Sequence, residues 1–268
     1  FGVVGSTDSH TALATAEEDN FFGKHSGVEP VPDRWKHLVG EFGKNRILGA
    51  DMAASGYAAV WAADNTRRAI FDAMERKEVY ATTGSRMTVR FFGGWDFTKA
   101  DASSRMPAEI GYAKGVPMGG DLSRAPKGGA PTFLVAAMKD PYNGNLDRIQ
   151  IVKGWLDANG KTHEKVYDVV WSGDRKPGEN GKLPPVGNTV DAKSATWTNT
   201  IGSPELSTVW TDPDFNPAQP AFYYSRVIEI PTPRWTAYDA RNFNVKAGEE
   251  IPMTTQERAY TSPIWYTP

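Results

Sequence analysis

The 268-residue sequence contains no cysteine. That removes disulfides, thiolate metal sites and cysteine nucleophiles from consideration, and it fits a periplasmic or secreted location better than a cytoplasmic one. No apolar run is long enough to cross a bilayer as a helix. Neither sign of charge dominates: 30 Lys and Arg stand against 32 Asp and Glu, a formal net charge of −2. So small an imbalance offers no electrostatic footprint for nucleic acid or an anionic membrane, and neither is expected as a partner. There is no Gly-Lys-Ser/Thr phosphate loop, no Gly-x-Ser-x-Gly elbow and no Rossmann fingerprint. No targeting segment is visible and no initiating Met opens the chain, so the sequence reads as the later part of a longer polypeptide.

What is present is a substantial core. Apolar residues make up 40%, and 9 Trp, 10 Tyr and 12 Phe make the chain rich in aromatics. The length suits one large domain or two smaller ones. The most informative stretch is the opening, Phe1-Gly2-Val3-Val4-Gly5-Ser6-Thr7-Asp8-Ser9-His10. Phe1, Val3 and Val4 read as a short buried strand that runs out into a loop at Gly5 and Ser6. Asp8 and His10 follow at a spacing of i, i+2, which in extended chain puts both side chains on one face. A carboxylate oxygen and an imidazole nitrogen so placed can share a divalent cation. Two ligands do not complete a site.

The chain divides near Gly84 to Met87. In the first part, Trp35, Leu38, Val39 and Phe42 are spaced i, i+3, i+4, i+7, which predicts an amphipathic helix. Residues 65–77 predict a second helix, capped by Asp64, Asn65 or Thr66 and buried along Ala69, Ile70, Ala73 and Met74. Residues 79–83 predict a strand stopped by Gly84. Strand, helical excursion, strand implies parallel pairing through a crossover. In the second part, short strand-like runs at 87–92, 132–137, 148–152, 166–171 and 221–228 are separated by turns rich in Pro and Gly. That pattern predicts an antiparallel sandwich. Residues 172–188 read as a polar surface loop, and no internal repeat is present.

Several other residues could meet a ligand. Glu17, Glu18 and Asp19 form an acidic loop, either a rim approaching metal or substrate or simply a solvated surface. Lys24 and His25 could donate to an anion. Arg67 and Arg86 could clamp a phosphate, although for Arg67, near a helix start, a salt bridge or a packed stem is the preferred reading. Trp155, Trp171, Trp197, Trp210, Trp235 and Trp265, with Tyr223 and Tyr224, could stack on carbohydrate. Sandwich cores use the same residues, and core packing is the preferred reading. His37 and His163 show no partner pattern.

Two segments resemble the polymerase and histidinol phosphatase (PHP) superfamily. Gly5-Ser6-Thr7-Asp8-Ser9-His10 is similar to its last metal-binding motif, with Thr7 inserted before Asp8. Residues 65–84 resemble its closing helix–strand unit. The wording is nearest to a bacterial branch known only as a domain of unknown function (DUF3604-like). There the likeness continues through Glu18-Asp19-Asn20-Phe21-Phe22-Gly23-Lys24, Phe91-Phe92-Gly93-Gly94-Trp95 and Thr261-Ser262-Pro263-Ile264-Trp265-Tyr266. The resemblance implies a distorted (β/α)₇ barrel that carries divalent ions (Mn, Zn, Fe or Mg) and hydrolyses phosphoesters. Asp8 and His10 match the last ligand pair. The earlier ligand motifs, including a His-x-His, have no counterpart and are expected upstream of Phe1.

The fold expected is therefore α/β plus β. Residues 1–85 would be the C-terminal remnant of a PHP-type barrel, and residues 86–268 an antiparallel β-sandwich. The expected function is that of a metal-dependent phosphoesterase acting on a small phosphorylated substrate. An upstream segment of the same polypeptide, or another copy, would complete its centre and cover the unpaired strand edges. The competing expectation is a non-catalytic binding or structural sandwich with a vestigial barrel segment.

Overall fold

A computed structural model describes residues 1–268 except 14–16, 26, 55 and 180. Runs rich in β-branched and aromatic residues, broken by glycine and proline, build it into sheets. Among the described residues there are sixteen strands and only three α-helices.

The largest sheet has eight strands. Its path runs β10 (Thr162–Trp171), β9 (Leu146–Leu156), β12 (Ala221–Glu229), β15 (Arg258–Thr261), β4 (Val79–Thr82) and β3 (Ala58–Val60). Beside β12 lies β16 (Ile264–Tyr266), which also pairs with β7 (Asp121–Leu122). A second sheet has four strands in the order β11 (Glu205–Thr211), β8 (Thr132–Met138), β5 (Thr88–Gly94) and β6 (Gly115–Pro117). Two two-stranded sheets stand apart, the hairpin of β1 (Leu38–Phe42) with β2 (Asn45–Leu48), and the pair β13 (Thr232–Pro233) with β14 (Thr254–Thr255). The pairing of β16 with β7 is parallel, and the other strand pairs are antiparallel.

The two large sheets bury a common core. In β12 the inward residues Ala221, Tyr223, Ser225 and Val227 alternate with half-exposed Phe222, Tyr224 and Arg226, the two-residue period of a half-buried strand. Tyr223 meets Phe133 of β8 with ring centroids 4.5 Å apart, and Phe133 stacks on Phe91 of β5 at 5.6 Å. Burying one such aromatic side chain contributes roughly 1.5–3 kcal/mol.

The expected barrel remnant is not there. The described residues form no closed barrel, and β4, read as a parallel barrel strand, pairs antiparallel with β3 on one side and β15 on the other. The opening residues, read as its buried partner, take no regular secondary structure, and Phe1 and Val4 are 72% and 62% exposed. Local hydrophobicity marks a strand but does not name its neighbour. Here the neighbour of β4 lies at residues 258–261, far along the chain.

The helix expected over residues 35–42 is also absent. Arg34–Lys36 forms one 3-10 turn, and Leu38–Phe42 is strand β1. Gly43, with φ of +64°, permits the turn into β2. The helical spacing was fortuitous, because Leu38 and Phe42 are 47% and 69% exposed.

The helix α1 (Arg67–Glu75) does form, and Thr66 caps it, its hydroxyl oxygen accepting from Ala69 N at 3.2 Å. Only Ala73 of the expected stripe is fully buried, and Met74 is exposed. A short helix, α2 (Pro107–Lys114), packs on β5. The third, α3 (Trp235–Asn242), packs with a separate small core of Phe21, Val28, Trp35, Met52, Ala54 and Ile251. Arg34 ties this core together. It is buried, its Nε lies 2.5 Å from Asp239 Oδ2, and its Nη atoms donate to the carbonyls of Phe21, Phe22 and Val28. A buried charge is tolerable only when paired and hydrogen-bonded in this way.

Candidate functional site

Backbone approach decides where Asp8 and His10 lie. Gly56 N donates to Ser6 O at 3.1 Å, which lays the opening segment against residues 56–57. A Cβ on Gly5 would sit 2.4 Å from Tyr57 O, so only glycine fits this contact. Beyond it the chain turns: Asp8 has a φ of +50°. Asp8 and His10 therefore do not project from an extended strand as their spacing suggested.

The turn nevertheless gathers chemistry. His10 N donates to Lys24 O at 2.6 Å, and Lys24 Nζ donates to Thr7 O at 2.7 Å. The rings of His10 and His25 meet edge-on at 6.4 Å. His10 Nδ1 lies 3.0 Å from Asp8 O. A carbonyl oxygen only accepts, so Nδ1 carries the proton, and a neutral ring in this arrangement presents its lone pair at Nε2, the tautomer a metal-binding imidazole needs. Burial lowers the pKa of Lys24, while the charges of Asp8 and Glu18 pull it back up.

Beside this corner opens a cavity of about 110 Å³ lined by the carboxylates Glu17, Glu18, Asp19, Asp140 and Glu257 and by Tyr142, Trp197 and Tyr238. Glu17 to Asn20 form a short capped turn. Thr15 and Ala16, the polar residues just before the acidic loop, lie outside the described residues. Glu17 pairs with Arg86 at 3.4 Å. Glu18 Oε2 accepts from Trp235 N at 2.6 Å, fixing it at the start of α3, and burial raises its pKa. Asp140 accepts from Arg86 N and Tyr142 N at 2.7 and 2.9 Å.

Two further acids lie deeper. Glu257 is buried and accepts from the Thr83 hydroxyl, and burial, reinforced by the charge of Glu18, pushes its pKa up to about 8. Glu229 is buried just behind the cavity wall, where Ser85 Oγ donates to its Oε1. Burial raises Glu229 well above the usual carboxylate range, against the Ser85 hydrogen bond and with help from the charges of Glu257 and Asp140. Carboxylates held this close in low dielectric favour the protonated form.

The structure thus brings together Asp8, His10, Lys24 and His25, and next to them Glu17, Glu18, Asp19 and Arg86. It leaves out Arg67, which is exposed at the start of α1. Among the described residues no group of three or more His, Asp or Glu is arranged to hold a metal ion. Sequence reading missed Glu229, Glu257 and Asp140. One signal pointed to Glu229: a lone acid inside the apolar run Val227-Ile228-Glu229-Ile230, where an unpaired charge is not expected. Of the aromatics, Tyr223 and Trp235 are core residues, whereas Trp155 and Trp265 are half-buried and line an outer groove with Phe222.

Fold and site together define a predominantly antiparallel β protein with a carboxylate-lined cavity beside a His–Asp–Lys corner. Residues 1–268 match the family described as "Protein of unknown function (DUF3604)", and the chain belongs to that family. Neither a curated protein nor a solved structure matches it.

Proposed function

We propose that this chain supplies Asp8 and His10 to the divalent-metal centre of a hydrolase acting on phosphoesters. The remaining ligands come from outside these residues, from an upstream segment of the same polypeptide or from another copy. The observation that carries this reading is the hydrogen bond from His10 Nδ1 to Asp8 O, which in the neutral ring leaves Nε2 as the metal-binding nitrogen. The similarity of Gly5 to His10 to the last PHP metal motif supports the same chemistry, borne here on a turn.

The donor types fit Mn, Zn, Fe or Mg, and two donors are part of a shell, since hydrolytic sites use three or more protein ligands. When bound, such an ion lowers the pKa of water and neutralises phosphoryl charge. The chain's own residues do the rest. Lys24, half-buried between Asp8 and Glu18, offers a positive charge that an anionic substrate meets without full solvent screening. Arg86, exposed and stacked over Tyr57 at 5.2 Å, presents a guanidinium at the rim for phosphate oxygens.

Elemental analysis of the full polypeptide tests this, together with hydrolysis of p-nitrophenyl phosphate. The Asp8→Ala/His10→Ala double variant is expected to lose metal and at least ~100-fold of its activity, as loss of an ion and its activated water implies. Unchanged metal content in the variant would sink the ligand assignment.

A further inference from the structure

The outer face of the eight-stranded sheet carries a track of rings and polar groups that the hydrolase reading leaves unused. In β12, Phe222, Tyr224 and Arg226 alternate with the core residues and are half-exposed. Strand register sets what lies beside each. Phe222 stands between Trp265 of β16 and Gly154 of β9. Its ring leans over Gly154, where the Cβ of any other residue would clash with it. The rings of Phe222 and Tyr224 are nearly parallel, with 12° between their planes and centroids 6.5 Å apart. At the Phe222 end opens a groove of about 670 Å³, lined by Trp155, Phe222, Trp265, Thr162, His163 and Glu164, a volume usual for a small-molecule site. At the other end Arg226 lies beside Gln150 of β9, which faces Asp168 of β10. Arg226 Nε donates to Gln150 Oε1 at 2.7 Å, and Gln150 Nε2 donates to Asp168 Oδ1 at 2.7 Å. Gln150 is buried and locked by these bonds. The ends of the ladder stay open: among the described residues nothing hydrogen-bonds the Arg226 Nη atoms, Asp168 Oδ2 or the Tyr224 hydroxyl.

The chemistry of the track selects its ligand. Ring faces are electron-rich and attract C–H groups that carry partial positive charge. Arg226, with Arg148 3.8 Å from Asp168, balances Asp168 and Glu164, so the face favours no ion of either sign. It does present a donor and an acceptor, which hydroxyl groups satisfy together because they both donate and accept. An aliphatic ligand or an apolar protein surface would bury these polar ends without partners, at a cost. Sugar rings combine the C–H faces and the hydroxyls. The track is straight because β12 is extended: Phe222 to Arg226 spans roughly 13 Å, room for about three sugar rings. Parallel aromatic rings in line suit a flat ribbon of repeating units, which β-links give and curving α-links do not.

We infer that the outer face of this sheet binds an extended, uncharged, β-linked oligosaccharide, its sugar rings stacked on Phe222 and Tyr224 and its hydroxyls bonded to Arg226 and Asp168. This binding stands independently of the hydrolase reading.

Isothermal titration of the full polypeptide with cellohexaose provides the test. Saturable binding is expected, with a parallel change in tryptophan fluorescence because Trp155 and Trp265 line the groove. Tyr224→Ala is expected to weaken it ~5- to 10-fold through loss of one stacked ring. Arg226→Gln, which touches no core residue, is expected to weaken it ~3- to 10-fold through loss of a charged donor, and it decides the matter if Tyr224→Ala does not fold. Phe71→Ala, at an exposed ring on α1, is expected to bind as the native protein does. Maltohexaose, which curves, is expected to bind at least ~10-fold more weakly, since it meets one ring in place of two. Absence of saturable cellohexaose binding, native affinity in both Tyr224→Ala and Arg226→Gln, an equal loss in Phe71→Ala, or equal binding of maltohexaose overturns the inference. So does a dimer in light scattering that Tyr224→Ala dissociates and cellohexaose does not, which would make this face an interface between copies of the chain.

Discussion

Glu257 shows how a single residue couples site and stability. Its pKa is raised from 4.5 to about 8, chiefly by burial. A raised pKa means that the folded state keeps a proton the unfolded state has already lost. The stability this proton supplies is full below about pH 4.5 and is lost as pH rises to about 8. Across that window thermal unfolding of the native protein is therefore expected to worsen relative to Glu257→Gln. The gap should reach on the order of a few kcal/mol near pH 8. Parallel melting curves at all pH values would show that Glu257 does not retain its proton. The sequence offered no hint of this residue, because one acid before a four-residue strand looks like any surface acid until Thr83, Glu18 and Glu229 close around it. Asp8, His10, Lys24 and His25 were legible, because they sit within one short stretch and carry distinctive chemistry.

At the scale of elements, local rules succeeded where a local interaction settles the conformation. Thr66 caps α1 because its side chain accepts from Ala69 N three residues on, a contact readable from sequence alone. Thr66→Ala is expected to cost about 1 kcal/mol and to speed amide hydrogen exchange in the first turn of α1. Unchanged exchange there would mean that the helix is held from elsewhere. Local rules failed at residues 35–42. The apolar spacing of Trp35, Leu38, Val39 and Phe42 is compatible with a helix, yet these residues split between a 3-10 turn and β1. The reason is tertiary. Trp35 belongs to the small core around Arg34 and α3, and β1 is stabilised by its hairpin partner β2.

For the whole molecule, the decisive event is the packing of two sheets drawn from distant parts of the chain. Phe133 sits at their centre, against Phe91, Trp210 and Tyr223, and is fully buried. Phe133→Ala is expected to lower stability by about 3–5 kcal/mol in denaturant unfolding, through lost transfer energy and a cavity that rigid sheets cannot close. A loss under ~1 kcal/mol would mean that the core collapses around the gap. The strands of residues 132–228 were legible as strands because alternation and turn residues are local signals. The place of β4 was not. Its hydrophobicity is equally compatible with a parallel barrel and with an antiparallel sheet, and β15 decides between them from residues 258–261. The sequence by itself determined a core rich in aromatics, most of the second-half strands, the α1 cap and the composition of the Asp8–His10–Lys24–His25 corner. Only the tertiary structure decided that these strands form antiparallel sheets without a barrel, and that Glu229 and Glu257 come together at a cavity. Propensity and periodicity act over a few residues, whereas strand pairing and the burial of charge are settled by contacts between residues far apart in the chain.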